Sequence, residues 1–405
     1  MADLAHRKST KTVRFTDTNG NPIAGRRLKA EQISHKFLFG CGGFDFVSYY
    51  RTENEYERSF YKERMDKWLN VFNYATLPFY LGRFEAEEGK PETESRMLAA
   101  KYLTERGVVC KGHPLVWHTV CADWLMNYDN ETILSKLKGR IEREVTGFKG
   151  TIDMWDVINE VVIMPVFDKY DNAVTRVCKE YGQVPLVKAV FDAAHKANPE
   201  AELLLNDFNT SPKYEELIER CLDAGVPLTA IGIQSHQHQG YWGREKILDV
   251  LDRFGRFGLP IHFTENTLTS GDYLVPPEIE DLNDFVVTAE QWPSTPAGEA
   301  RQAEQIEEMY RILFDNPLVQ AITTWDFTDG AWLNAPSGFL RLDNSEKPSY
   351  HLLRDLIFNE WHTDTVITTN EDGIAEIKGF KGTYKISPED AGVTLSQGQD
   401  RIELS

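Results

Sequence analysis

The chain is short of basic charge. Its 405 residues carry 44 Lys and Arg against 63 Asp and Glu, a net charge of −19. That balance argues against a nucleic-acid partner, which needs a basic footprint, and suits a neutral ligand inside a solvated acidic surface. Long apolar runs are missing too, so no membrane partner is expected. Cysteine is scarce: Cys41, Cys110, Cys121, Cys178 and Cys221 are scattered, odd in number and without metal-type spacing. They read as buried free thiols, with a structural disulfide as the alternative. The first twelve residues lack the apolar core of a secretory signal, so the protein is expected either to stay inside the cell or to have lost a leader. Finally, no Gly-rich phosphate loop follows the first apolar strand at 37–40, which counts against an open dinucleotide-binding sheet.

What is present is one repeated unit: an amphipathic helix, a Gly or Pro, a short apolar strand, then polar residues at the strand's end. Met97, Leu98 and Tyr102 mark one helix, Ile133, Leu134, Leu137, Ile141 and Val145 a second, and Leu186, Val187, Val190, Phe191 and Ala194 a third. Ser211-Pro212 caps a fourth carrying Leu217, Cys221 and Leu222. Strands near 37, 72, 110, 152, 203, 230, 261 and 321 make eight. Strands alternating with helices pair in parallel, and eight such units imply a closed α/β structure, a (β/α)8 TIM barrel. The barrel is expected over 36–360. Residues 1–35 read as a β segment with a turn at Asn19-Gly20-Asn21-Pro22, and 361–405 alternate as β structure. The two ends are expected to form a small β appendage. A sugar-binding module is the sharper reading of 361–405, but the only tryptophan near it is Trp361, at its border.

The chemistry gathers at the predicted strand ends: His113, Trp117 and His118; Asn159 and Glu160; Asn206 and Asp207; Gln234, Ser235 and His236; Glu265; Trp325 and Trp332. Each has a bland reading. An Asn-Glu pair is usually solvated or a helix cap, a lone histidine is usually structural, and isolated tryptophans are more often core than binding wall. Together they say more. Two glutamates on different strands, ringed by amides, imidazoles and indoles, suit glycoside hydrolysis, in which one carboxyl protonates the leaving oxygen and the other attacks or activates water. Indole faces match the apolar faces of sugar rings, and amides and imidazoles match their hydroxyls.

These segments, in order, resemble glycoside hydrolase family 10, the family of retaining endo-β-1,4-xylanases. Gly112-His113-Pro114-Leu115-Val116-Trp117-His118 is similar to its G-H-x-L-V-W-H motif, and Trp155 to Glu160 to W-D-V-x-N-E. Asn206-Asp207-Phe208-Asn209 resembles N-D-Y-N, Gly232 to His236 resembles G-x-Q-S-H, and Thr264-Glu265 resembles the nucleophile's T-E. Trp325 to Asp329 and Lys347-Pro348-Ser349-Tyr350 resemble the closing W-x-x-T-D and K-P-x-Y. The resemblance runs from about residue 36 to 360. It implies Glu160 as acid/base and Glu265 as nucleophile, about 5–5.5 Å apart. It further implies that Asn159 bonds the sugar 2-hydroxyl and that His113, Trp117, Gln234 and His236 line the cleaving subsite. Trp325 and Trp332 would wall it, with His118 and Asn209 nearby. Xylan or xylo-oligosaccharide is the implied substrate, a monomer is expected, and no metal or organic cofactor is implied.

The departures are local. Asn266 and Thr267 stand where the family usually carries an Asp that supports the histidine of strand six; Thr267 or His238 is left to do so. On strand two, the family's Glu, Asn and Lys that grip the sugar upstream of the cleaved bond fall on Pro78, Phe79 and Gly82. Phe79 and Tyr80 are candidates to stack on sugar there, or Arg83 and Glu85 to grip it. Another β-1,4-glycan or a branched arabinoxylan therefore stays open as substrate. Cys121-Ala122 also replaces a common Leu-Pro. A metal-dependent barrel hydrolase, suggested by His236-Gln237-His238, is the competing class, but two histidines make an incomplete ligand set.

Overall fold

A computed structural model describes residues 4–279, 281–390 and 393–405; the first three residues of the polar N-terminus lie outside it. The chain divides into two compact units, residues 39–350 and residues 1–38 with 351–405.

The larger unit holds a closed barrel. Strands β1 (Lys8–Arg14) and β2 (Arg27–His35) precede it. The barrel is made by β3 (Leu38–Gly42), β4 (Tyr74–Pro78), β5 (Val109–His113), β6 (Met154–Asn159), β7 (Glu202–Asp207), β8 (Ala230–Ile233), β9 (Ile261–Asn266) and β10 (Val319–Thr324), in sequence order with β10 closing on β3. A strand in such a barrel is covered outside by helices and inside by the opposite strands, so it is apolar on both faces. Accordingly every residue of β6, β8 and β9 is buried. Parallel register then brings polar termini level: Pro78 lies beside His113, Asn159 beside Asn206, and Asp207 beside Ile233. One end of the barrel becomes a ring of side chains capable of chemistry.

The helices follow the expected faces with one exception. Helix Asn130–Gly147, capped by Asp129 accepting from the Thr132 amide, buries Ile133, Leu137, Ile141 and Val145. Helix Gln183–Ala197 buries Leu186, Val187, Val190, Phe191 and Ala194. Helix Pro212–Asp223 is capped by Ser211. Helix Thr93–Thr104, however, turns Ser95, Arg96, Ala99, Ala100 and Leu103 inward, while Leu98 is exposed. Small alanines let a helix approach a sheet closely, which reading the large apolar residues alone does not reveal. The second barrel strand begins two residues later than expected, because Asn73 is used as a cap: its Oδ1 accepts from the Phe39 amide at 2.8 Å.

Gly112 shows how tightly the barrel is packed. It pairs with Trp155 on the neighbouring strand, and a Cβ at 112 would collide with three carbons of the indole ring. That ring is fully buried and packed edge-on against Phe79 at 5.0 Å, so it has no room to retreat. Gly112→Ala is expected to cost about 1–3 kcal/mol, the usual penalty for overpacking a core. Urea unfolding of the two proteins measures it, and a cost below about 0.3 kcal/mol would mean that the indole yields freely.

The smaller unit joins both ends of the chain. After β11 (Asp364–Thr368) come β12 (Ile374–Phe380), β13 (Gly382–Pro388) and β14 (Arg401–Leu404). β1 pairs antiparallel with β12, and a second sheet runs β11-β2-β13-β14. Phe15, Leu28, Ala30, Ile377, Tyr384, Ile386 and Leu404 form its core. Asp17 nucleates the turn before β2, accepting from the amides of Asn19 and Asn21 while Gly20 takes a φ of 85°. Trp361 is buried, which removes it as a surface platform for sugar. The five cysteines are free thiols, four buried and Cys121 partly so. No described helix is long and apolar enough to cross a membrane.

Candidate active site

Glu160 follows β6 directly, in the left-handed region at φ 57°, a conformation that costs a non-glycine residue on the order of 1 kcal/mol. Its amide donates to the Asn206 carbonyl at 2.8 Å, which ties the strained residue to β7. Its carboxylate receives Trp117 Nε1–H at Oε2 (2.8 Å), and Asn159 Nδ2–H (3.1 Å) and Gln234 Nε2–H (3.2 Å) at Oε1. Glu265, next to the end of β9, receives Asn206 Nδ2–H at Oε1 (2.7 Å) and faces His236 Nε2 at Oε2 (3.0 Å). Asn206 also donates to Asn159 Oδ1 at 2.7 Å and accepts from the Thr264 hydroxyl at 2.6 Å. One amide thus spans the two carboxylates, through Asn159 on one side and directly on the other. Glutamates from strands that are not neighbours are held apart at a set spacing by side chains with no freedom left.

Their electrostatics differ in sign. Removal from water, followed by the charge of Glu265, raises Glu160 to about 8 despite its three donors. Burial also works on Glu265, but the positive side of His113 and the hydrogen bond from His236 outweigh it and hold this carboxyl below its ordinary value. The pair therefore rests as one acid and one carboxylate, the division of labour that two-step acid–base chemistry needs.

Behind Glu265 lies a buried ionic cluster. His113 Nδ1 is 2.7 Å from Asp156 Oδ2, and its Nε2 is 4.0 Å from Glu265 Oε1. Lys111 Nζ sits 2.7 Å from the same Asp156 oxygen, as an ion pair rather than an aligned hydrogen bond, with both side chains fully buried. The aromatic walls are Trp325, edge-on to His113 (5.1 Å), His236 (6.1 Å) and Phe44 (5.1 Å), and Trp332, 4.4 Å from the His236 ring.

Of the eleven residues given a role in the site from the sequence, nine meet here: Glu160, Glu265, His113, Trp117, Asn159, Gln234, His236, Trp325 and Trp332. The other two stand back. His118 packs edge-on against Phe167 at 4.5 Å, and burial lowers it to about 4. Asn209 turns its loop, accepting from the Ser211 amide and hydroxyl.

Sequence reasoning missed Asp156 and Lys111, and placed Asn206 at a strand end without a role. A signal existed for Asp156: a carboxylate inside the apolar run Trp155 to Ile158 has to be paired, and Lys111 occupies the adjacent strand. Tyr80 lies edge-on to His113 at 5.6 Å and 5.7 Å from Trp117, so it lines the cleft. Phe79 does not, which corrects the expectation that it stacks on sugar: it is fully buried among Phe84, Phe148 and Trp155. Glu85 is likewise spent on Arg143 (2.5 Å) and the Gly89 amide (2.8 Å). Arg83 is exposed, 6.0 Å from the Tyr80 ring. Gly82 has to be glycine-sized, since a Cβ would meet the carbonyls of Cys121 and Val120 at 2.8 and 2.9 Å.

The sequence pattern of glycosyl hydrolase family 10 matches residues 81–356. A beta-1,4-xylanase of Dictyoglomus thermophilum is 29% identical over 57% of this chain and 64% of its own length. Endo-1,4-beta-xylanase B of Thermotoga neapolitana is 26% identical over 64% and 72%. The chain thus spans just under two thirds of the first relative. Among solved structures, xylanase 10B of Thermotoga petrophila in complex with xylobiose is 22% identical with a TM-score of 0.63, covering 80% of this chain and 95% of that one. The family pattern covers well over half of the chain and the barrel is shared with solved members, so the chain belongs to glycosyl hydrolase family 10.

Proposed function

We propose that the protein is an endo-β-1,4-xylanase that cleaves internal xylosidic bonds of xylan or arabinoxylan by a retaining double displacement. The observation that carries the reading is the opposed pair: a protonated Glu160 and an ionised Glu265 held apart by Asn206 and Asn159. Glu265 attacks the anomeric carbon while Glu160 gives its proton to the departing glycosidic oxygen. The bond to the leaving sugar breaks as the glycosyl ester to Glu265 forms. That ester has no charge, so the main electrostatic pressure on Glu160 is lifted, and as a carboxylate it draws a proton from water attacking the same carbon. The sugar is released and Glu265 regains its charge. Asn159, fixed by donating to Glu160 and accepting from Asn206 and Gln234, is set to bond the 2-hydroxyl, and the indoles of Trp325 and Trp332 wall the ring.

A different β-1,4-glycan is the second reading, and the upstream subsite favours keeping it. The family's polar grips fall on Pro78, buried Phe79 and space-limited Gly82, leaving Tyr80 as the side chain of that stretch that faces the cleft. The deciding experiment is hydrolysis of linear and arabinose-substituted xylan by the native protein and Glu265→Ala, with a chelator present. Short xylo-oligosaccharides from the native protein and none from the variant are expected. Release from neither xylan would move the substrate to another β-glycan, and an active variant would remove Glu265 as nucleophile.

A further inference from the structure

Beside His236 lies a second histidine to which the mechanism gives no role. His238 is fully buried on the loop after β8, its ring 6.0 Å from His236, 5.1 Å from Trp332 and 6.1 Å from Trp292. Between the two imidazoles sits the hydroxyl of Thr267, 3.3 Å from His236 Nδ1 and 3.2 Å from His238 Nδ1. The same oxygen accepts the Gln237 amide at 3.1 Å. We propose that Thr267 and His238 are positioning residues that select the Nε2–H tautomer of His236 and so aim its proton at Glu265. The inference rests on the glycosidase reading for its consequence, though not for its geometry.

A carboxylate only accepts, so His236 Nε2, 3.0 Å from Glu265 Oε2, has to carry a hydrogen. In the neutral ring Nδ1 is then a bare lone pair that needs a donor. A hydroxyl has one hydrogen and two lone pairs. The Gln237 N–H can only give, and it is shared between the Thr267 carbonyl (3.0 Å) and this hydroxyl, so at least one lone pair of the hydroxyl stays free. If Thr267 gives its single hydrogen to His236, that lone pair points to His238 Nδ1, which has to be the protonated nitrogen of that ring. His238 Nε2 is then a bare acceptor, and among the described residues it has no hydrogen-bond partner.

The opposite chain makes His236 doubly protonated, directs the Thr267 hydrogen to His238 Nδ1 and moves the His238 proton to Nε2. That arrangement buries a donor with no acceptor, which is disfavoured, whereas a bare acceptor is tolerated more readily. Burial, and then the charge His236 would carry, keep His238 uncharged, well below the usual histidine range. Among the described residues, the charged and titratable groups around the pair are Glu265, His113 beyond it and the two histidines themselves, and the indoles of Trp292, Trp325 and Trp332 pack on other faces.

Nitrogen-15 spectra of the histidine rings at the pH of activity test this directly. In the native protein His236 is expected to carry its hydrogen on Nε2 and His238 on Nδ1. Thr267→Val should leave the His238 proton divided between its two nitrogens. It should also lower kcat about tenfold or more with little change in KM, short of the roughly 10^4-fold that a wholly wrong tautomer costs a triad histidine. Thr267→Ser should restore both readouts. A native His236 protonated on Nδ1 would overturn the proposal even if Thr267→Val does not fold, as would an unchanged His238 tautomer in a folded Thr267→Val. The glycosidase reading fails separately, through an active Glu265→Ala.

Discussion

Glu160→Gln is expected to lower kcat/KM on xylan by about 10^2- to 10^4-fold, the usual contribution of a positioned general acid. The loss should be smallest in the first step with an aryl xyloside whose leaving group departs without a proton, and largest with xylan itself. The native alkaline limb of kcat/KM, set near pH 8 by loss of the Glu160 proton, should vanish in the variant. Stability should fall with rising pH as well. The carboxyl titrates at about 8 in the fold against an ordinary value of 4.5, so between these values the native state holds a proton that the unfolded chain has released. Native stability therefore falls as pH rises through that window, and the penalty is complete above it. Glutamine carries no such penalty. It does place an NH2 group among three donors, a pH-independent cost on the order of 1–3 kcal/mol. The difference in unfolding free energy, variant minus native, should thus rise from pH 4.5 to 8 whatever its offset. A flat difference across that range would mean that Glu160 is not held protonated.

Lys111→Met is expected to destabilise the protein by about 3–5 kcal/mol, because it leaves Asp156 charged, buried and without its cation. Asp156 is held below its ordinary value, against burial, by Lys111 first and His113 second. Adding Asp156→Asn should recover much of the loss, since the neutral amide still offers an oxygen to His113 Nδ1, 2.7 Å away in the native protein. The double change should therefore be less harmful than the sum of the singles, and urea unfolding of the four proteins gives that coupling. Strict additivity would show that Lys111 and Asp156 do not depend on each other. Activity should fall in the single variant as well, because His113 is held between Asp156 and Glu265.

Much of this protein was legible locally. Runs such as Leu203-Leu204-Leu205 followed by Asn206-Asp207 name a strand and its polar end, because apolar content, β-preference and the stop signal all act within a few residues. Alternation of such strands with helices is sufficient for the barrel, and the barrel is sufficient to say that Glu160 and Glu265 face the same mouth. Past the end of the second barrel strand the local rules failed by one position. Of the adjacent aromatics Phe79 and Tyr80, the first is core and the second lines the cleft. They lie just beyond Pro78, where the strand and its side-to-side alternation stop.

What the sequence determined by itself was the order of strands, the two glutamates and the residue types around them. Only the tertiary structure decided which groups touch. Asn206 bridges both carboxylates because β7 lies level with β6 and the barrel's curvature brings β9 within reach. Lys111 meets Asp156 because β5 and β6 are in register, and Thr267 falls between two histidines because the loop after β8 folds back on the segment after β9. Propensity extends over a few residues, whereas these contacts join positions 29 to 59 apart, and their geometry exists only once the barrel has closed.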